Sequence, residues 1–173
     1  MTGSPAGGDG ITELSRRLAG ARRIAVVGIG DELSPLDRPG VLAARRIEAL
    51  HLPGARVFLA GTVPESMTGP VKSFGPDHII LLDAAEMGKP PGTVAVLDPG
   101  TVRASLFSSH ALPLPVVMDY LRKETGATVI LLGIQPDLTK GHDDLPAAED
   151  DLVAGAIKDL ARVLQNVLAG SEG

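Results

Sequence analysis

Residues 22–28, RRIAVVG, and residues 78–83, HIILLD, decide the fold. Each holds a short, unbroken apolar run. Such a run reads as a strand buried on both faces, the pattern of a parallel sheet. The first run ends on Gly28, and Gly28 and Gly30 open a turn. The second ends on a carboxylate, Asp83. Three more runs read as strands: 55–60 (ARVFLA), 93–97 (TVAVL) and 127–132 (ATVILL).

Helical patterns lie between these runs. Residues 11–20, ITELSRRLAG, read as a short helix ended by Gly20. From Pro39 to Leu50, the positions of Val41, Leu42, Ala44, Ile47 and Leu50 have helical spacing. Residues 114–124 read as a helix with Pro115 in its first turn. A closing helix covers 147–168, with Leu152, Val153, Ile157, Leu160, Leu164 and Leu168 among its apolar positions. Residues 64–75 read as a loop or weak helix, 84–92 as a Gly/Pro loop, 98–112 as irregular and 136–146 as a polar loop. Strands alternating with helices predict an α/β domain on a mainly parallel five-stranded sheet. The small residues of 1–10, MTGSPAGGDG, read as a flexible tail before a single domain over 11–173.

Composition narrows the function. Of the 173 residues, 44% are hydrophobic but only 2% are aromatic, so the core is aliphatic and offers no base-stacking platform. A net charge of −5 argues against nucleic-acid or anionic-membrane binding. The chain has no Cys, which excludes disulfides, iron–sulfur clusters, thiolate zinc sites and Cys nucleophiles. No apolar run is long enough to cross a membrane. A cytoplasmic setting is expected.

In parallel α/β sheets, ligands sit beyond the carboxyl ends of the strands. That selects Gly28–Asp37, Gly61–Glu65, Asp83–Gly92 and Gly133–Asp137. Gly28-Ile29-Gly30 starts like a dinucleotide fingerprint, but Leu33 stands where its third glycine belongs. Walker A, G-x-S-x-G and H-E-x-x-H patterns are missing. What remains is Asp37 after the first strand, Asp83 at the end of the third, and His110 in SSHALPLP. Two carboxylates and an imidazole suit a borderline divalent metal such as nickel, zinc or iron. Ordinary explanations stand beside this one. Asp83 could cap the next turn or helix, Asp37 could be the N-cap of the helix at Pro39, and His110 could be a hydrogen-bonded loop residue. His78 reads as structural, and His51 and His142 as solvated. The run Asp143, Asp144, Glu149, Asp150 and Asp151 reads as a solvated helix start.

Four segments, in order and with suitable gaps over about residues 22–168, resemble the hydrogenase maturation endopeptidases. The likeness is to the branch that processes formate-hydrogenlyase-type hydrogenases. The segments are IAVVGIGDELSPLDRPGVLAA (24–44), IILLDAAEMGKPPGTVAVLDP (79–99), SSHALPLPVVMDYL (108–121) and VILLGIQPD (129–137). Pro64-Glu65 also fits a P-E pair that follows the second strand in that family. The chain departs from the family pattern at Leu36-Asp37, where an acidic pair is usual. It also departs at Pro35, Arg38 and Asp31, and at Glu86, which replaces a second Asp.

The resemblance implies a three-layer α/β/α fold of flavodoxin-like or phosphorylase/hydrolase-like type. It implies an aspartic-type or metal-assisted endopeptidase that removes the C-terminal extension of a nickel–iron hydrogenase large subunit precursor once nickel is inserted. By position, Asp37, Asp83 and His110 become the catalytic, nickel-contacting residues. The nickel is expected to arrive with the substrate, and no organic cofactor is implied. A non-catalytic maturation module on the same fold is the alternative. A flavin- or nucleotide-binding domain fits less well, since phosphate loop and stacking aromatics are both missing.

Overall fold

The computed structural model describes residues 8–99, 112–139 and 150–171. Five strands form one sheet: β1 (Ile24–Ile29), β2 (Ala55–Gly61), β3 (His78–Ala84), β4 (Val94–Leu97) and β5 (Thr128–Ile134). Their order is β2-β1-β3-β5-β4. β1, β2, β3 and β5 are mutually parallel, and β4 runs antiparallel along β5 with Val94 opposite Ile134. The mainly parallel five-stranded sheet expected from the apolar runs is therefore present. Relative to the flavodoxin order 2-1-3-4-5, the last two strands are exchanged.

The helices are α1 (Gly8–Arg17), α2 (Pro39–Glu48), α3 (Thr68–Phe74), α4 (Leu114–Thr125) and α5 (Asp150–Ala169). Alternation along the strands sorts them into two outer layers. Ile24, Val26, Ile80, Leu82, Ile130 and Leu132 face a core shared with Leu14, Ile47, Leu160 and Leu164 of α1, α2 and α5. Ala25, Val27, Ile79, Leu81, Val129 and Leu131 face one shared with Val71, Val117, Met118 and Leu121 of α3 and α4. The result is three layers held by aliphatic side chains, each fully buried one worth about 1.5–3 kcal/mol. Among the described residues, no helix is long and apolar enough to cross a membrane.

Several boundaries differ from the sequence reading. α1 starts at Gly8, inside the segment read as tail, and Thr12 Oγ1 donates to the Gly8 carbonyl at 2.7 Å. Gly10 explains this start. A Cβ there would lie 2.1 Å from the Val94 carbonyl oxygen, so α1 is packed directly on the β4 backbone. Residues 64–75 are ordered as a 3-10 turn (Pro64–Met67) running into α3, which ends at Gly75 in the left-handed region. Of the acidic run, Asp143, Asp144 and Glu149 lie outside the described residues, as does His142, while Asp150 and Asp151 begin α5.

Chain direction creates the crevice that matters. From β1 the chain passes through α2 on one face to β2. It then passes through α3 on the opposite face to β3, on the other side of β1. The connections thus diverge between β1 and β3, and open α/β sheets take their ligands beyond the carboxyl ends at such a switch point.

Candidate functional site

The loop that follows β1 is built to fold back on itself. Gly30 has φ +136, and a Cβ there would sit 1.9 Å from the Asp37 carbonyl oxygen, so no other residue fits without rearrangement. Its N–H donates to the Gly61 carbonyl at 2.8 Å, tying the ends of β1 and β2 together. The Ser34 N–H donates to the Asp31 carbonyl, and those of Asp37 and Arg38 donate to the Ser34 carbonyl. Asp31 Oδ1 accepts the Leu33 N–H at 2.9 Å, an Asx turn.

That fold-back carries Asp37 inward, where it is only 3% exposed. Its Oδ2 accepts the Asp31 N–H at 2.9 Å. The cap position of α2 is Arg38, in helical conformation and with no side-chain cap hydrogen bond. Asp37 therefore is not the N-cap that the sequence allowed. Its carboxylate turns back toward β1 instead, because the Asp31 N–H across the loop supplies the donor.

Asp83 sits inside β3 opposite Gly133 of β5 and is 4% exposed. Strand alternation puts it on the α3/α4 face with Ile79 and Leu81. Asp37 and Asp83 flank the switch point from its two sides, one after β1 and one at the end of β3. α2 joins the two sides closely. A Cβ on Gly40 would lie 2.6 Å from the Ile29 carbonyl oxygen and 2.4 Å from that of Leu82, the residue before Asp83.

His110 lies outside the described residues. The chain re-enters description at Leu112 and begins α4 at Leu114. α4 ends at Thr125 and β5 starts at Thr128, so α4 runs back along the sheet and begins at the carboxyl end. Among the described residues, no cluster of three or more His, Cys, Asp or Glu is arranged to hold a metal ion.

The structure adds a residue to which the sequence reading gave no role. Gln135 is buried, and its Oε1 accepts the N–H groups of Met87 (2.6 Å) and Lys89 (3.4 Å). Its backbone pairs with Gly92 and Thr93, each at 2.9 Å. The segments 79–99 and 129–137 are thus one unit, in which Gln135 pins the loop that leaves Asp83. The available signal was a lone amide after the apolar run VILLGI.

Glu65, in the 3-10 turn after β2, is a third acid at this end. Its Oε2 is buried, and no group among the described residues donates to it. A cleft of about 370 Å³ opens beside the loop between the ends of β1 and β2, lined by Gly30, Asp31, Glu32, Arg45, Leu59 and Thr62 among others. Glu32 and Arg45 form an ion pair across it.

The opposite end of the sheet has a different electrostatic character. Asp77 Oδ2 accepts the N–H groups of Arg22 (2.9 Å) and Arg23 (3.0 Å), and Oδ1 pairs with His78 Nδ1 at 2.7 Å. Burial alone would raise the Asp77 pKa. The hydrogen bonds from His78 and the two backbone N–H groups outweigh burial and hold it below the usual aspartate value. His78 is structural, as its place at the start of a strand suggested.

Comparison with known proteins agrees with this fold. The family model described as hydrogenase maturation protease matches residues 41–164. The hydrogenase 3 maturation protease of Escherichia coli K12 is 29% identical over 147 residues, covering 84% of this chain and 88% of that protein. The crystal structure of a NiFe hydrogenase maturation protease, HycI of Thermococcus kodakarensis KOD1, superposes with a TM-score of 0.74 at 31% identity. It covers 91% of this chain and 99% of that one. The hydrogenase maturating endopeptidase HybD of E. coli gives a TM-score of 0.62 at 25% identity, covering 83% of this chain and 93% of that one.

Proposed function

The chain belongs to the hydrogenase maturation protease family, and we propose that it is an endopeptidase acting on a nickel–iron hydrogenase large subunit. Its substrate is the nickel-loaded precursor in the cytoplasm, from which it removes the C-terminal extension. The observation that carries this reading is the pair of buried carboxylates, Asp37 and Asp83, flanking the switch point of the sheet.

Two carboxylates at one crevice repel each other and are costly to desolvate. A divalent cation brought by the substrate offsets both costs. In this reading Asp37, Asp83 and His110 complete the coordination of nickel already bound by the precursor. A precursor without nickel lacks the cation and binds poorly. The Asp31 N–H orients Asp37, and Gln135 holds the chain beyond Asp83 in place. In the cleavage, water adds to the scissile carbonyl, the C–N bond breaks and a proton passes to the leaving amine. Nickel can polarise the carbonyl, and a carboxylate at its side is a proton acceptor for the water.

Incubating the purified chain with nickel-loaded precursor tests this reading, with the mass of the large subunit followed over time. The expected result is loss of one C-terminal peptide by the wild type and no loss by His110→Ala. Full processing by His110→Ala would reject its place in the site. The replacement of the usual acidic pair by Leu36-Asp37 favours one other reading, a maturation module that binds the precursor without cutting it. Stable binding with an unchanged large-subunit mass would select that reading.

A further inference from the structure

Large apolar side chains exposed singly are ordinary on a protein surface, but their clustering at one end is not. Leu33 follows β1, Val63 follows β2, Leu138 follows β5, and Leu112 precedes α4 at the same end of the sheet; all four are exposed. From Leu112, the exposed Val116 and Tyr120 continue along α4 at helical spacing. At the opposite end, among the described residues, Leu50 alone is an exposed large apolar side chain.

Leu33 is the extreme case, at 87% exposed. Its loop is not slack. Asp31 Oδ1 holds the Leu33 N–H, and the Asp31 carbonyl accepts that of Ser34 at 3.1 Å. The turn that brings Asp37 inward therefore holds Leu33 outward. A leucine kept in water by a hydrogen-bonded loop can lose that exposure at an interface with little reordering, the condition for an anchor residue.

We propose that this apolar rim is a docking surface for the folded body of the precursor, with Leu33 as its anchor. The inference rests on the activity proposed above and names the surface that recognises that substrate. The occupant follows from position. The rim residues stand on the loops and helix start at the end of the sheet that holds Asp37 and Asp83. A protein whose own segment reaches those acids must lie over them. An extended tail bound alone would need only the crevice, whereas Leu33, Val63, Leu112 and Leu138 spread over four separate segments.

The test is titration of nickel-loaded precursor against the full-length wild type, Leu33→Ser, the triple variant Leu33→Ser/Val63→Ser/Leu138→Ser, and Leu50→Ser as the control at the far end. Leu33→Ser is expected to weaken binding by about tenfold, the low end of what burying one leucine contributes. The triple variant should weaken it further. Leu50→Ser should stay within about twofold of wild type, and all the variants should melt like wild type because these side chains are exposed. Wild-type affinity in Leu33→Ser, or an equal loss in Leu50→Ser, would overturn the proposal. A wild-type homodimer that Leu33→Ser dissolves in sedimentation would assign the rim to a second copy and also overturn it. Binding without cleavage by the wild type would reject the proposed activity, yet leave docking to be decided by the same titration. Absence of wild-type binding would reject both.

Discussion

The two ends of the sheet differ in how deeply they bury their acids. At the amino end, the Asp77 side chain is partly in water, and its donors are two backbone N–H groups and the adjacent His78. Its charge is satisfied by the fold, and its work is to close the sheet. At the carboxyl end, Asp37 and Asp83 are 3% and 4% exposed and flank the divergence of the chain. In the proposed reading these two carboxylates meet the cation that the substrate carries. An acid held by the fold is thus separated from the acids to which we assign the chemistry by the length of a strand.

The largest expected effect breaks this contrast from the chemical side. Asp37→Asn and Asp83→Asn should each lower the processing rate by about a hundredfold or more, since each removes a charge from the proposed reacting site. Each variant should stay folded, because Asn keeps the size of Asp and its acceptor oxygen. Rate and melting measured on the same preparations check both halves. Loss of both together would make these acids structural.

Next in size is the joint between α2 and the sheet. Gly40→Ala places a methyl 2.4 Å and 2.6 Å from two backbone carbonyl oxygens, neither of which can swing aside. Overpacking of this kind costs about 1–3 kcal/mol or more. It should also displace the first turn of α2 and with it Asp37, so denaturant unfolding and processing should both suffer.

The smallest effect lies at the amino end. Asp77→Asn should cost about 1 kcal/mol, a modest figure because the group is partly in water. Processing per folded molecule should be unchanged. The pH dependence has a definite direction. The Asp77 pKa is lower in the folded protein than its ordinary value, so its contribution is full above that value. It is lost as pH falls from about 4 through the depressed folded value. Unfolding curves of wild type and Asp77→Asn should therefore converge in that acid range.

Much of the layout was legible because buried parallel strands leave an unmistakable trace. The runs at 24–29, 78–84 and 128–134 are buried nearly throughout, so apart from His78, Asp83 and Thr128 they hold only apolar residues and glycine. Their carboxyl ends then pointed to Asp37 and Asp83. What sequence could not resolve was contact at a distance. That Asp37 turns from its helix toward the Asp31 N–H depends on Gly30 folding the loop back. That Gln135 serves the loop after Asp83 depends on β3 and β5 being neighbours. The start of α1 is hidden in the sequence because four glycines among the first ten residues resemble a tail, while Gly10 packs closely on β4.

The central claim is that the acids at the carboxyl end answer to nickel carried by the substrate. It is tested most directly by presenting the purified chain with the same precursor in nickel-loaded and nickel-free form, and following loss of the C-terminal extension by mass. The account predicts cleavage of the loaded form alone. Equal cleavage of both forms would contradict it.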